Sequence, residues 1–512
     1  MRIKNSLINI KYNILSLIIL TIVSFVSRTI FVKILGESFL GINGLFTNII
    51  SVLSLADMGI GTVLVYSMYK PLAVDDKKQI KCYINVYKKI YNGIAFIVFL
   101  LGIILIPFLK YFIKDNMEIQ HLTLIYLLYL LNTVVSYLCI YKISIINADQ
   151  KNYIVTFRQQ IFNLISNVCM SIILILTHSF IFYLLIQIFF SIASNIYLSI
   201  VAERMYPYIK NVKNCELDQE SKNEIKKNTK AMIYHKVGGV VVSSTDNILI
   251  SSMIGLKYVG LYSNYSLIIG MVNRFLSQIF SSLTASVGNL VVKEKNNYSY
   301  LIFNRILFLN FWLYSFSSIA LICLLNCFIT IWLGNSYHLS ITIVFIISLN
   351  FYIDGLRKTV LIFKESYGLF WQDRYKPLLE GILNLIFSII LAKFFGLFGI
   401  FFGTFLSFIF VSVPVEINIL FKYGFKISVA EYLKKMVKYI ITFVIALFVS
   451  FVLIQNLFNG TILNFVICCF IVVIVPNMII LLLTFKSDEF RYYYDQFIKK
   501  IFNIFKNKKN VE

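Results

Sequence analysis

GESFLGINGLF (residues 36–46) and GLKYVGLYSNY (residues 255–265) share the pattern Gly-x-x-x-x-Gly followed by Ile or Leu, and each joins one apolar run to the next. A second echo lies at a similar spacing, because NVCMSIIL (residues 167–174) returns as NLIFSIIL (residues 384–391). Two echoes at offsets of 219 and 217 residues indicate an internal duplication. Each repeat holds six apolar runs. Since six is even, both repeats would run in the same direction, as two lobes with a cavity between them.

The whole chain has the composition of a membrane protein. Of its 512 residues, 59% are hydrophobic and 14% are charged, whereas a soluble domain carries roughly 25% charged residues. Apolar runs of about 20 residues recur from end to end, and we find no alternating segments typical of membrane β-barrels. The sequence predicts an all-α polytopic membrane protein with about 14 transmembrane helices. The predicted spans are residues 12–35, 43–66, 90–109, 121–146, 159–177, 181–201, 232–254, 258–287, 301–325, 339–363, 377–394, 399–420, 439–457 and 462–484.

The formal net charge of +23 reflects membrane topology rather than nucleic-acid binding. The lysines and arginines lie between apolar runs instead of clustering on one soluble domain. They concentrate in alternate connecting segments, which is the pattern of cytoplasmic loops. We therefore predict a multi-pass protein with both termini in the cytoplasm and no nucleic-acid partner.

The apolar runs divide the chain into five parts. We predict an N-terminal six-helix lobe at residues 1–201, a cytoplasmic connector at 202–231 and a C-terminal six-helix lobe at 232–431. Two extra transmembrane helices follow at 432–485, and a basic cytoplasmic tail occupies 486–512. The predicted outer loops are too short to hold a soluble catalytic domain, so we do not expect an enzyme.

Several charged residues lie inside predicted spans. A charge at the centre of a membrane helix costs roughly 2.5–3.5 kcal/mol on insertion scales, so it usually faces a cavity or a partner. The candidates are Arg28, Asp57, Asp246, Arg274 and Asp354. Under the repeat offset, Arg28 corresponds to Asn247, which is beside Asp246. Lys236 and Arg305 lie near predicted cytoplasmic ends, where their side chains could instead reach the headgroups.

These charges allow two interpretations. Arg28 and Asp246 could form a buried ion pair that locks the two lobes together. We favour a polar cavity for an anionic substrate, in which cations bind the substrate and carboxylates act in coupling or gating. The candidate substrate-binding residues are Arg28, Arg274 and Lys236, and the candidate coupling or gating residues are Asp57, Asp246 and Asp354. The four histidines are scattered and no phosphate-binding loop is present, so we predict no metal site and no cofactor.

Three long stretches resemble the polysaccharide repeat-unit flippases, the Wzx-type O-antigen and capsule translocases of the superfamily that includes the multidrug extruders. They are SRTIFVKILGESFLGINGLFTNIISVLSLADMGIGTVLVYSMYKPLA (residues 27–73), IWLGNSYHLS (residues 331–340) and GLFWQDRYKPLLEGILNLIFSIILAKFFGLFGIFFGTFLS (residues 368–407). The resemblance covers nearly all of the first twelve predicted helices. It is strongest around Asp57-Met58-Gly59 and the segment Tyr69-Lys70-Pro71-Leu72-Ala73.

The resemblance implies a function as well as a fold. It implies a two-lobed bundle of twelve core helices in the bacterial cytoplasmic membrane. The bundle would translocate undecaprenyl-diphosphate-linked oligosaccharide from the inner to the outer leaflet for O-antigen or capsule assembly, alongside a polysaccharide polymerase and other assembly proteins. Arg28 and Arg274 match positions expected to hold the diphosphate, and the last two spans match helices that form a groove for the lipid tail.

Two other functions stay open on the sequence. A multidrug extruder of the same superfamily would export organic cations, and it would favour intramembrane carboxylates without arginines. A membrane polysaccharide polymerase or ligase would require a sizeable external loop for chemistry on the sugar. The membrane arginines disfavour the first alternative, and the short outer loops disfavour the second.

Overall fold

A computed structural model shows the chain as an all-helical protein. The structure describes residues 2–57, 60–114, 120–149, 151–210, 215, 217–223, 225–226, 229, 240, 244–294, 296–369, 371–455, 457 and 459–496. Within these residues there is no β-strand. The predicted all-α polytopic fold is confirmed.

Fifteen α-helices follow one another in the described part of the chain. They are α1 (Arg2–Leu53), α2 (Ile60–Ser67), α3 (Tyr69–Ala73), α4 (Lys77–Leu105), α5 (Leu122–Ala148), α6 (Asn152–Thr177), α7 (Phe180–Met205), α8 (Leu256–Ser281), α9 (Thr284–Lys293), α10 (Asn296–Leu333), α11 (Ile341–Ser366), α12 (Lys376–Ser407), α13 (Val413–Ile419), α14 (Ala430–Gln455) and α15 (Ile462–Thr484). Short 3-10 helices occupy Ser54–Asp57, Ile106–Phe112, Pro207–Ile209 and Asn335–Tyr337. Single π-helical turns occupy Ile250–Ile254, Phe408–Ser412 and Leu420–Phe425.

The number of membrane spans differs from the sequence prediction. Among the described residues, nine helical stretches are long and apolar enough to cross a membrane, or ten if the bent pair Leu122–Leu138 and Ile140–Ala148 is one span. The predicted count of fourteen is not confirmed. One reason is that two neighbouring predicted spans are joined by a one-residue break rather than by a loop. Lys376–Phe425 forms one apolar stretch of 50 residues, but its backbone leaves the helical conformation at Gly396, between the predicted spans 377–394 and 399–420.

The helices group into two compact units. The first unit is Met1–Ser263 together with Pro377–Gly396, and the second unit is Asn264–Lys376 together with Leu397–Glu512. The domain bounds predicted from the sequence, with two six-helix lobes on either side of the connector, stay a prediction.

The first unit packs its helices around buried aromatic and aliphatic side chains. Helix α1 contacts α6, and α5 contacts both α4 and α7. Near the start of α7, the Phe31 ring meets the Phe180 ring edge to face at 5.6 Å, an arrangement that aromatic pairs favour. The Ser171 hydroxyl of α6 donates to the Ser27 hydroxyl of α1 at 3.0 Å. One of the two repeated serines therefore holds α6 against α1.

The repeated Gly-x-x-x-x-Gly pattern begins with a glycine that interrupts a helix. Gly36 has a φ of +78° inside α1, and Gly255 has a φ of +147° directly before α8. Side chains with a Cβ rarely adopt such angles, so glycine is required where the chain turns in this way. His178 and Gly396 also occupy equivalent positions later in the two repeats, and both have a positive φ angle, +54° and +56°.

The second glycine of each pattern packs against the backbone of the other pattern. A Cβ added at Gly41 would overlap the Leu256 carbonyl oxygen, and a Cβ added at Gly260 would overlap the Glu37 carbonyl oxygen. Leu256 and Glu37 occupy equivalent positions of the repeat, each directly after the first glycine. Lys257 Nζ also lies 2.8 Å from a Glu37 carboxylate oxygen. The duplicated sequence thus forms a contact with itself inside the first unit.

We expect Gly260→Ala to destabilise the protein by about 1–3 kcal/mol, because the new methyl group would push against backbone atoms. Gly288→Ala in α9 is the matched control. No atom lies within 4 Å of a Cβ built there, so alanine should leave stability unchanged or raise it. Apparent melting temperature in detergent is the measurement. Equal melting temperatures for the two variants would contradict the close helix contact.

The second unit is built on α10, which packs against α11, α14 and α15. The rings of Phe311 and Tyr439 stack with centroids 4.1 Å apart. The indole N–H of Trp312 donates to the Asn477 side-chain oxygen of α15 at 2.6 Å. Gly355 of α11 faces a tyrosine ring of α10 with no room for a Cβ. The two extra C-terminal helices, α14 and α15, therefore belong to the core of this unit.

The described part of the connector lies on α4. Cys215 is joined to Cys82 of α4 by a disulfide. The Asn85 side-chain amide donates to the Cys215 carbonyl oxygen at 2.9 Å, and Leu217 is buried. These contacts hold the connector against α4, which is the most distant from it in sequence among α4 to α7.

Candidate functional site

Arg28 lies on α1 in a half-buried, hydroxyl-rich environment of the first unit. Its Nη2 donates to the Ser263 hydroxyl oxygen at 2.7 Å. Tyr129 and Tyr183 are close enough to interact electrostatically with the guanidinium. The Tyr129 hydroxyl in turn donates to the Asn43 side-chain oxygen in a short hydrogen bond. A permanent cation thus lies next to the hydroxyl groups of Ser263, Tyr129 and Tyr183, and arginine N–H groups are of the type that binds an anion.

Asp246 lies in a helical stretch at residues 244–249 that packs against the second half of α1. The Ser244 hydroxyl donates to the Ser51 hydroxyl at 3.1 Å. The Oδ1 atom of Asp246 is buried and has no hydrogen-bond partner among the described residues. The structure shows no ion pair between Asp246 and Arg28 within the part of the chain that it describes. The ion-pair interpretation of the sequence therefore finds no support here.

Asp57 closes the 3-10 turn Ser54–Asp57, where the helical path is interrupted. The Tyr91 hydroxyl of α4 donates to Asp57 Oδ1 at 2.7 Å. The Tyr87 ring stacks on the Tyr91 ring with centroids 4.7 Å apart. A Cβ at Gly61 would overlap the Tyr91 hydroxyl. Asp57 is therefore held in place by a tyrosine pair at the end of the 3-10 turn that precedes α2.

The other predicted substrate-binding cations are placed differently. Arg274 is exposed on α8 and belongs to the second unit. Lys236 lies outside the described residues. The predicted role of both residues therefore stays a prediction.

A large apolar cavity lies within the second unit, between α11, residues 397–425 and α14. Its volume is about 890 Å³. Along α11 its lining runs from Ile341 to Val360, about 28 Å at 1.5 Å per residue. That length is close to the roughly 30 Å thickness of a hydrocarbon core. The rings of Tyr352 and Phe443 stack at its wall with centroids 4.1 Å apart.

A cluster of charged residues lies at one end of this cavity. Among the described lining residues, only Arg357 and Glu416 are charged. Arg357 binds Glu416 with two nitrogens, Nε at 3.0 Å and Nη2 at 2.8 Å. Lys376 Nζ reaches the same carboxylate at 2.6 Å. The Glu416 side chain is 1% exposed, so this group is a buried carboxylate shared by two cations.

Asp354, a predicted coupling carboxylate, lies next to this cluster. Its carboxylate oxygens are 3.7 Å from Arg357 Nη1 and 3.4 Å from Lys358 Nζ. Sequence reasoning missed Arg357 and Glu416, although both fall inside predicted spans. Each of the two apolar runs contains a charged residue that could have indicated the site. Both residues lie near the ends of their predicted spans, where charged residues are common because they set the membrane orientation.

Comparison with known families now identifies the kind of protein. The model of the family "Polysaccharide biosynthesis protein" matches residues 6–287, more than half of the chain. The chain belongs to the polysaccharide biosynthesis protein family. The matched residues include the predicted site residues Arg28, Asp57, Lys236, Asp246 and Arg274. No curated protein sequence matches the chain.

Solved structures show the same fold. A lipid II flippase MurJ in an inward closed conformation has a TM-score of 0.64 at 15% identity, over 92% of this chain and 98% of that protein. An inward-facing multidrug resistance MATE family transporter of the MOP superfamily has a TM-score of 0.55 at 14% identity, over 78% of this chain and 94% of that one. This member of the polysaccharide biosynthesis protein family therefore has the fold seen in membrane flippases and transporters.

Proposed function

We propose that the protein flips undecaprenyl-diphosphate-linked oligosaccharide repeat units from the inner to the outer leaflet of the bacterial cytoplasmic membrane, for O-antigen or capsule assembly. The family assignment supports a role in polysaccharide biosynthesis. The fold is that of membrane transporters that include a lipid II flippase. The protein would act with both termini in the cytoplasm, as a carrier rather than an enzyme.

The apolar cavity of the second unit carries this proposal. A polyprenyl chain is long and apolar, and a cavity of about 890 Å³ that follows α11 for the depth of a hydrocarbon core suits such a chain. Phe443, Val444 and Leu447 of α14 line one side of it. The cavity would hold the lipid tail while the sugar headgroup crosses the membrane.

Arg28 is our candidate for binding the diphosphate. An arginine fork can bind two phosphate oxygens at once, and it keeps its charge at any working pH. We propose the same role for Arg274 and Lys236. Alternating access of the two predicted lobes would then expose the headgroup on the outer side. An anion moving outward gains about 2.3 kcal/mol per charge per 100 mV of inside-negative potential.

Asp246 and Asp57 are our candidates for coupling, with Asp354 as a third. A buried carboxylate oxygen without a hydrogen-bond partner is unfavourable when ionised, so binding of a proton or a sodium ion at Asp246 would relieve that cost. Asp57 lies at a helix interruption, where a change of charge could alter the course of the chain. Asp354 is already paired with two cations, which favours a gating role over ion binding.

Export of organic cations is the alternative, and the fold shared with a multidrug transporter keeps it open. Such a carrier would need an intramembrane carboxylate available to a cation. Glu416 is already bound to Arg357 and Lys376. Because this carboxylate is already paired, the apolar cavity itself offers no site for an organic cation among its described lining residues, and this favours the lipid-linked substrate for the cavity.

The first test is the leaflet location of lipid-linked oligosaccharide after the protein is depleted from its host. Intact protoplasts are treated with a membrane-impermeant sugar-modifying reagent. We expect protected, cytoplasm-facing units to accumulate. Units that stay exposed at the normal level would refute flipping of this substrate, and a drug-sensitivity panel would then test organic-cation export.

Val444→Trp in α14 should reduce transport at least fivefold, because the indole would fill part of the apolar cavity that we assign to the lipid tail. Ile441→Trp is the matched control. Val444 and Ile441 are 54% and 53% exposed, but only Val444 lines the cavity. Uptake of lipid-linked units with long and short prenyl chains would be measured in proteoliposomes. The loss should be larger for the long chain, and equal losses in both variants would argue against the tail site.

A further inference from the structure

A second pocket lies in the second unit, apart from the apolar cavity, where the loop between α11 and α12 meets the end of the stretch at residues 397–425. Its volume is about 480 Å³, which is within the range of about 300–1,000 Å³ for small-molecule sites. Trp371 and Arg374 line it from the loop, and Asn418, Lys422 and Tyr423 line it from the helix. Because the loop connects two apolar helices, the pocket lies where a membrane helix ends.

The cations of this pocket are positioned by aromatic rings and are not paired with carboxylates among the described residues. The Arg374 guanidinium lies 3.9 Å from the Trp371 ring centroid and 4.5 Å from the Tyr375 ring centroid. Its Nη1 donates to the Trp371 carbonyl oxygen at 2.7 Å. Lys422 Nζ lies 5.4 Å from the Tyr423 ring centroid. Among the described residues, neither Arg374 nor Lys422 forms an ion pair.

The carboxylates closest in sequence are already committed elsewhere. Asp373 is buried in an ion pair with Lys364. Glu416 is buried with Arg357 and Lys376. The pocket therefore presents net positive charge, and no described acidic side chain lines it.

Exposed aromatic rings surround these cations. Trp371 is 71% exposed and Tyr375 is 61% exposed. Tryptophan and tyrosine at the ends of membrane helices sit at the level of the lipid headgroups. Basic pockets between membrane helices at that level suit the headgroups of anionic lipids. The chemistry of the pocket thus matches a phosphate group carried by a membrane lipid.

We propose that this pocket binds the phosphate of an anionic glycerophospholipid in the adjacent leaflet. Arg374, held flat by its two aromatic neighbours, donates to two phosphate oxygens, and Lys422 supplies a second positive charge. Trp371 and Tyr423 lie against the glycerol and the upper acyl chains. The site is separate from the apolar cavity, and it does not depend on the flippase function.

Fluorescence quenching of Trp371 tests this proposal with the full-length protein in detergent. Brominated phosphatidylglycerol and brominated phosphatidylcholine are added separately. The signal of Trp371 is the part that is lost in the Trp371→Phe variant. We expect phosphatidylglycerol to reach half-maximal quenching at about one fifth of the mole fraction that phosphatidylcholine needs. Equal quenching by the two lipids would overturn the proposal.

Charge-removal variants show whether the preference comes from this pocket. Arg374→Gln combined with Lys422→Gln should abolish the preference, and Lys422→Gln alone should reduce it about threefold. The control is the double variant Arg491→Gln and Lys434→Gln, which removes one arginine and one lysine elsewhere in the second unit. It should keep the preference for phosphatidylglycerol. Loss in the control would mean a general charge effect, which overturns the site. Millimolar inorganic pyrophosphate should leave the quenching in place, and full displacement would instead indicate a soluble phosphate ligand.

Discussion

Glu416→Gln should lower the unfolding free energy by about 3–5 kcal/mol, which is the usual effect of removing one partner from a buried ion pair. Arg357 and Lys376 would then be buried near each other without the carboxylate that both of them contact. Their side chains are 9% and 8% exposed, so water cannot replace the lost charge. The measurement is thermal unfolding in detergent, with the fraction of protein that stays monodisperse as the readout.

Asp354→Asn is the matched control for this variant. The Asp354 side chain is 34% exposed, and it pairs with Arg357 and Lys358 at longer distances. Exposed ion pairs contribute about 0–1 kcal/mol, so the control should shift the melting temperature only slightly. Replacing Arg357, Lys376 and Glu416 together by apolar residues should cost less stability than Glu416→Gln alone, because the buried carboxylate is removed together with the two cations that contact it. Equal melting temperatures for Glu416→Gln and Asp354→Asn would show that the cluster is solvated.

The helical class and the repeat were predictable from the sequence, since apolar length and a recurring glycine pattern are local features. Gly36 and Gly255 could be recognised because both interrupt apolar runs at equivalent places. The reciprocal packing of Gly41 and Gly260 could not be predicted, because it depends on how two distant segments approach. The gap between the predicted spans 377–394 and 399–420 coincides with Gly396, where the backbone of α12 leaves the helical conformation.

The site was predictable only where a single charge stands out in an apolar run. Arg28 was found in that way, but its hydrogen-bond partner Ser263 is far away in sequence and carries no charge. Arg357 and Glu416 were missed because each lies near the end of its span, where charges are expected for topology. A sequence shows the charge of a side chain, whereas its partner is decided by helix rotation and packing.

Arg28→Ala should fold normally and lose transport of lipid-linked oligosaccharide at least tenfold. A hydrogen bond to a charged group contributes about 1.5–3 kcal/mol, which corresponds to roughly 10- to 150-fold in binding. Arg28→Lys keeps the charge but loses the planar fork, so it should retain part of the transport. Transport is measured in proteoliposomes with an impermeant sugar-modifying reagent, and folding is measured by melting temperature.

Two controls separate phosphate binding from a structural role of Arg28. Lys33→Gln removes one exposed positive charge from the same helix, and it should transport normally. Ser263→Ala removes the hydroxyl that accepts from Arg28 Nη2 and keeps the charge of the guanidinium, so it should reduce transport less than Arg28→Ala does. If Arg28 only stabilised the packing of α1, then Arg28→Ala would lower the melting temperature and Arg28→Lys would behave like it. Normal transport by Arg28→Ala would exclude Arg28 as the diphosphate-binding residue, while the tail site of the second unit would stand on its own test.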